Sequence, residues 1–291
     1  MATSLDAAWI DAHPLPDHAE GTDKNGRGRV IALGGSRLVP GALRLTGEAA
    51  LRAGAGKVRL ATIAEAAVAL GVALPEAATI ALPVDGAGEI SPAAIDILHP
   101  LIRGCDALVL GPGMGNRDAA EVLVTGLLAE PLGAVSILLD AAAVACAGAC
   151  AETLRRWDGR VVLTPHLGEM ARLTGLDEAV ILADPEARAR EAASHFGAVV
   201  VLKGAETVVA SPQGDALRYR GGGVGLATGG SGDVLAGIIG GLLSRGAPPL
   251  EAAAWGVWLH GEAGSALARR IAPIGFLARE LLAEIPRLMQ R

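Results

Sequence analysis

Asp233 stands directly after a segment, Gly221 to Gly232, in which seven of the twelve residues are glycine, and directly before the apolar run VLAGIIGGLL (234–243). A backbone that carries so few side chains can adopt positive φ and approach a ligand closely. A helix starting there offers unpaired N–H groups and a partial positive charge. That combination is an anion site: Gly229-Gly230-Ser231-Gly232 forms the turn, and a phosphate rests on the helix N-terminus. A carboxylate beside a bound phosphate is repelled by it, so Asp233 is expected to act on whatever the phosphate is delivered to, as general base. The plain alternative is a glycine-rich surface loop with Ser or Asp capping a helix, which an isolated GxGD does not exclude.

A site of this kind needs a scaffold, and the chain supplies one by alternation. Short apolar stretches at 29–35, 57–63, 79–84, 107–115, 136–141, 160–166 and 198–204 read as strands. Helical patterns at 42–54, 64–72, 91–104, 117–129, 167–175 and 184–196, with an Ala-rich one after 141, separate them. Ser91-Pro92 reads as the start of the 91–104 helix. Continuously apolar strands divided by helices predict a mostly parallel sheet covered on both faces, in one α/β domain. The segments 198–204, 207–212 and 216–221 look antiparallel, with Gln213-Gly214-Asp215 as a hairpin turn, and helices at 232–245, 250–270 and 276–290 finish the chain. Residues 1–26 read as an arm or irregular leader, and 27–291 as the domain.

In open parallel sheets ligands bind beyond the carboxyl ends of the strands. Gly34-Gly35-Ser36, Gly111-Pro112-Gly113-Met114-Gly115, Asp140 and Thr164-Pro165-His166 all fall there, in company with the loop before Asp233.

Composition sets limits on the rest. A net charge of −6 argues against a general nucleic-acid binder. No uncharged apolar run reaches the roughly 18 residues of a membrane span, and the first 22 residues carry four acidic residues with no basic start, so neither membrane nor secretion is expected and the location reads as cytoplasmic. Cys105, Cys146 and Cys150 read as buried small apolar residues. His195, His260, Trp157, Trp255 and Trp258 read as packing or surface residues.

The set GGSRLVPGA (34–42), LGPGMG (110–115), LTPHLGEMARLTG (163–175), VLKGAET (201–207) and LATGGSGDVLAGIIGGLL (226–243) resembles the ADP-dependent NAD(P)H-hydrate dehydratases, a branch of the ribokinase-like fold. The likeness runs from about residue 26 to 290. Where members of that family often read Gly-Asn-Pro-Gly-Met, this chain has Gly222-Gly223-Val224-Gly225-Leu226, which predicts a looser approach to the glycine loop.

The resemblance implies nicotinamide nucleotide repair: ADP-dependent dehydration of the S-epimer of NAD(P)H hydrate, with release of AMP and phosphate. It assigns Asp233 as the catalytic base. Ala42, Gly113, Gly115, His166 and Asp233 would face the hydrate; Lys203, Gly204, Ala205, Glu206, Thr207, Gly230, Ser231 and Gly232 would surround the nucleotide, ADP or ATP. Mg²⁺ is expected with the phosphates, with Glu169 as a candidate to hold it through water or else simply to complement a helix dipole; no metal ligand set is assigned. Asp140 closes an apolar strand and could reach the nucleotide or metal, but reads rather as the N-cap of the Ala-rich helix. A homotetramer and a separate epimerase activity are further expectations. The competing readings are a ribokinase-like small-molecule kinase of the vitamin-precursor type, which leaves the phosphate on its product, and a non-enzymatic nucleotide binder, which has no need of Asp233.

Overall fold

The computed structural model describes residues 2–17, 19, 21–129 and 131–290. In chain order, β1 (Thr3–Ser4) and α1 (Ala7–Ala12) precede β2 (Arg29–Leu33), α2 (Ala42–Arg52), β3 (Lys57–Ile63), α3 (Ala64–Ala73) and β4 (Ala78–Leu82). Then come α4 (Ala94–Ile102), β5 (Ala107–Leu110), α5 (Arg117–Leu128), β6 (Ser136–Leu139), α6 (Ala142–Cys146), α7 (Ala151–Arg155) and β7 (Val161–Leu163). After α8 (Leu167–Thr174), α9 (Glu178–Ala183) and α10 (Pro185–Phe196) follow β8 (Val199–Leu202), β9 (Glu206–Ala210) and β10 (Ala216–Arg220). The chain closes with α11 (Ser231–Ser244), α12 (Pro249–Arg270), α13 (Ala278–Leu281) and α14 (Ile285–Leu288).

Among the described residues, the ten strands join one sheet in the order β1-β10-β9-β8-β7-β6-β5-β2-β3-β4. Pairing is parallel from β7–β8 through to β3–β4, and antiparallel only at β8–β9 and β9–β10, as the hairpin pattern predicted. Every residue of β5, β7 and β8 is buried, and since successive side chains point to opposite faces, helices must cover both. The chain runs outward through β2, β3 and β4 and then returns to the other side of β2 with β5. The carboxyl ends of β2 and β5 therefore flank a topological switch point, where a crevice is built into the fold.

Helix α11 crosses the middle of one face. All of its residues except Gly232 and Asp233 are buried. It approaches α2 so closely that a methyl group on Gly237 would run into the Thr46 carbonyl oxygen, and one on Gly241 would lie 2.6 Å from the Ala50 oxygen. On the sheet side, Gly240 leaves room for the Val109 side chain. The three glycines are spaced to face α2 and β5, which is what turns a flexible composition into a tightly seated helix.

Several elements depart from the sequence reading. The 1–26 leader is not an irregular arm: β1 adds to the sheet beside β10, and α1 buries Ile10. Trp255 Nε1–H donates to the His13 carbonyl (2.7 Å) and Arg245 to that of Pro16 (3.1 Å), so the leader is bonded to the body of the protein. The 91–104 helix begins only at Ala94, because Ser91 Oγ accepts from the Ala93 amide and holds a turn there first. The single helix expected at 276–290 is two short ones, since Pro286 has no N–H with which to continue α13. The Ala-rich helix is split by a 3₁₀ turn at Ala147–Cys150, and α9 is an additional element that Pro185 terminates. The three cysteines are buried and free, and burial pushes the Cys105 thiol up to about 12. Trp157, Trp255 and Trp258 pack in the core as expected.

Gly237→Ala puts a methyl group against main-chain atoms that cannot rotate away. It is expected to lose about 1–3 kcal/mol of stability, even though alanine is the better helix former. Equilibrium urea unfolding should show a lower midpoint at unchanged slope.

Candidate active site

The N-terminus of α11 is open to solvent and its amides are only partly used. Gly230 takes φ +88°, a conformation that suits glycine, and contributes no capping side chain. The Ser231 amide donates to the Thr228 carbonyl (3.2 Å) and that of Val234 to Gly230 (3.1 Å). Among the described residues, the amides of Gly230, Gly232 and Asp233 meet no acceptor. The turn therefore leaves free the kind of donors that an anion seat requires, with the backbone of Ser231 already occupied and that of Asp233 available.

Beneath this seat lies a charged cluster drawn from three strand ends. Lys203, after β8, is held 2.9 Å from Asp140 Oδ1 and 3.9 Å from Glu169 Oε2. Asp140, after β6, is buried and also accepts from Thr164 Oγ1 (2.7 Å). A Cβ on Gly232 would sit 3.7 Å from Lys203 Nζ and 3.8 Å from Asp140 Oδ2, so this pair lies directly under the helix start. The charges of Asp140, Glu169 and Asp233 outweigh burial and raise the Lys203 ammonium above its ordinary value.

The sequence reading of Asp140 as an N-cap does not hold. The cap of α6 is Ala141, at φ 49° and ψ −125°, with no side-chain hydrogen bond. This strained turn, costing about 1–3 kcal/mol, leaves the Asp140 carboxylate facing the cluster. It also brings the Asp140 carbonyl so close to Gly111 that any side chain at 111 would collide with it.

Asp233 sits half-buried in the first turn of α11. Desolvation first, then the like charge of Asp140, push its carboxyl up to about 6, with Lys203 opposing. At neutral pH it is ionised yet only about one unit from accepting a proton, which suits a general base.

His166 and Glu169 form a capping box at the start of α8. His166 Nδ1 accepts from the Gly168 and Glu169 amides (3.0 and 3.3 Å), and Glu169 accepts from the His166 amide (2.8 Å). With Nδ1 an acceptor, a neutral His166 carries its proton on Nε2. The backbone here pairs with the strand end beside it: the Lys203 amide donates to the Pro165 carbonyl at 2.8 Å.

Three of the residues assigned to the hydrate, Ala42, Gly113 and Gly115, lie together at the switch point, whereas His166 lines the cavity beside Lys203. Gly113 packs against Ala42, and a side chain at 113 would press on Ala42 Cβ and the Val39 carbonyl. Gly115 and Asn116 donate their amides to the buried Glu89 carboxylate (3.3 and 3.0 Å), which fixes the loop. Gly230 touches this side too, since a Cβ there would meet Leu45 of α2.

A cavity of about 810 Å³ opens beside the anion seat, bounded by Lys203, Gly204, Ala205, Thr207, Ser231, Gly232 and His166. Its apolar walls, Leu226, Leu235, Val257 and the ring of Tyr219, were not singled out by sequence, because isolated apolar residues carry no local signal of a pocket. His260, read as packing, lies in this wall with Nε2 2.9 Å from Ser231 Oγ. Glu206 is exposed and paired with Arg218 and Arg220 (3.3 and 2.8 Å) rather than lining the cavity. The glycine-rich departure at 222–226 is anchored: the Gly222 amide donates to Ser265 Oγ (3.1 Å), and Leu226 packs on Gly264 of α12.

The profile of a family described as NAD(P)H-hydrate dehydratase matches residues 30–287. An ADP-dependent (S)-NAD(P)H-hydrate dehydratase of Xanthomonas campestris is 46% identical over 289 residues, covering 99% of this chain and 96% of the relative. The bifunctional NAD(P)H-hydrate repair enzyme Nnr of Moorella thermoacetica is 40% identical over 286 residues, 98% of this chain but only 53% of that longer protein. The crystal structure of the ADP/ATP-dependent NAD(P)H-hydrate dehydratase of Bacillus subtilis, co-crystallised with ATP/Mg²⁺, superposes with a TM-score of 0.81 at 28% identity, covering 100% of this chain and 98% of that one. The ribokinase-like α/β architecture implied by the motifs is the one observed.

A carboxyl group whose folded value is raised from 3.8 to about 6 weakens the fold above pH 6, and that cost fades as the pH falls towards 4 and the group protonates. Asp233→Asn should therefore stabilise the protein by about 1–3 kcal/mol at pH 8 and by little at pH 4. Urea midpoints at the two pH values test this.

Proposed function

The chain belongs to the NAD(P)H-hydrate dehydratase family, and from that premise we propose that it returns the S-epimer of NAD(P)H hydrate to NAD(P)H, using ADP and releasing AMP and phosphate. The observation that carries the reading is Asp233 itself: a carboxylate with raised proton affinity, one residue beyond a phosphate seat and above a lysine.

The hydrate bears a hydroxyl at C6 of its reduced nicotinamide ring, and hydroxide is a poor leaving group. Asp233 takes the C6 hydroxyl proton as that oxygen attacks the terminal phosphorus of ADP, and the bond from that phosphorus to the bridging oxygen breaks to release AMP. The new phosphate ester leaves readily: its C6–O bond breaks as the ring-nitrogen lone pair moves in, and loss of the C5 proton restores the double bond. The free amides of Gly230, Gly232 and Asp233 receive charge on the phosphoryl oxygens, and Lys203 supplies a fixed cation below them. Gly204, Ala205, Thr207 and Ser231 line the nucleotide cavity, Glu206 sits at its strand edge, and Ala42, Gly113, Gly115 and His166 hold the hydrate.

Asp140 and Glu169 are hard oxygen donors suited to Mg²⁺, but both are turned to Lys203. They fit an ion that arrives on the nucleotide phosphates and is met through water; when bound it neutralises phosphate charge. Phosphate transfer to a stable alcohol, as in a kinase, uses the same seat; the family match across residues 30–287 favours the dehydratase. The reading carries with it a cytoplasmic location, where three free thiols persist, a homotetramer, and a separate epimerase activity that supplies the S-epimer.

Incubation with NADH hydrate and ADP should restore the reduced-nicotinamide absorbance and release AMP and phosphate in equal amounts; phosphate found instead on another metabolite would support the kinase. Asp233→Asn should retain ADP binding and lose turnover by about 10²–10⁴-fold. In the wild type, kcat/KM should be level above pH 6 and fall about tenfold per unit below it, and Asp140→Asn should move that limb to lower pH by removing the like charge.

A further inference from the structure

Ser231 is the first residue of α11 and lies against the phosphate seat, yet its amide is already bonded to the Thr228 carbonyl. Whatever Ser231 gives an anion must come from its hydroxyl. That hydroxyl is not free to rotate at will, because Ser231 is buried and Oγ is 2.9 Å from His260 Nε2.

His260 belongs to α12 and lines the same cavity as Lys203. Burial, aided by the positive charge of Lys203 and opposed by the Ser231 backbone, takes the imidazole down to about 4. The ring is therefore neutral and carries a single N–H, so two arrangements are open to the pair. If Nε2 is the acceptor, the Ser231 proton points into the protein and the hydroxyl presents only lone pairs to the phosphate, which repel it. If Nε2–H is the donor, Oγ accepts it and the Ser231 proton is left to point outward. Only the second arrangement adds a hydroxyl donor to the unpaired amides of Gly230, Gly232 and Asp233 in the same turn.

We infer that His260 is a positioning residue for phosphoryl transfer, its Nε2–H holding Ser231 Oγ so that the serine hydroxyl donates to the nucleotide phosphate. The inference rests on the proposed use of ADP at this seat. Neighbouring contacts keep the imidazole in place: Gly261 lies under the Tyr219 ring, whose hydroxyl donates to Glu262 Oε1 (3.0 Å) one residue further along α12.

The test is a double-mutant cycle on ADP affinity, measured by calorimetry without hydrate, together with single-turnover AMP release. Ser231→Ala and His260→Phe should each weaken ADP binding or slow transfer by about tenfold, the worth of one hydrogen bond to a charged group, and the double variant should be no worse than either single one. His260→Gln, whose side-chain amide can donate from a similar place, should recover most of the loss, and the ¹⁵N spectrum of the wild type should show the His260 proton on Nε2. Additive losses, a Gln variant as poor as Phe at equal melting temperature, or a proton found on Nδ1 would overturn the inference. Failure of the dehydratase reading is distinguishable: no variant, nor the wild type, would restore absorbance, while the ADP affinities would still report on the link.

Discussion

Main-chain contact between α11 and α2 governs this structure. Gly237 and Gly241 allow carbonyl groups of α2 to press on the α11 backbone, and Gly240 admits a valine from the sheet. Contacts between backbones cannot be relieved by a change of rotamer, so the helix has one depth and one direction. Its first turn is the least covered part, with Gly232 and Asp233 half-buried and, among the described residues, the amides of Gly230, Gly232 and Asp233 unmet. An anion seat must hold its donors in place before the ligand arrives, because reorganisation during reaction would cancel part of the benefit.

The charge arrangement under that turn follows from the same geometry. Glycine at 232 leaves space for a buried Lys203–Asp140 pair directly below the helix start, and Thr164 satisfies a further lone pair of the aspartate. A buried ion pair of this kind is weak evidence of stability in its own right. Here it sets an electrostatic environment instead: burial and then Asp140 raise the proton affinity of the Asp233 carboxyl, and Lys203 places a positive charge among the carboxylates of Asp140, Glu169 and Asp233. A base held at about 6 and a strained Ala141 both lower stability at neutral pH, a pattern expected where a protein is arranged for reaction. The buried core of apolar side chains, continuous from β1's neighbour Leu5 to Ile285, offsets those costs.

Much was legible in the chain because local chemistry specified it. Continuous apolar runs with helical spacers define a parallel sheet; glycine clusters at strand ends allow close backbone approach; and a carboxylate one step past a glycine turn marks a helix start. The order of those signals, from Gly34 to Asp233, carried the family resemblance as well. Element ends were less legible, as at Ser91 and Pro286, where a single turn or a missing N–H decides the boundary.

What the residues could not say alone is which of them meet. Asp140 looked like a helix cap because its immediate neighbours are alanines, and only the approach of Lys203, sixty-three positions later, makes it part of a charged site. His260 looked like a packing or surface residue for the same reason: it reaches the cavity from a helix whose place is set by the fold. Sequence by itself determined the layered α/β fold, the glycine turn before α11 and the carboxylate that follows it, since each depends on neighbours along the chain. Tertiary structure alone decided the proton affinity of Asp233, the donors left free at the helix start and the partner of Ser231, because desolvation, charge and hydrogen-bond geometry depend on distances through space.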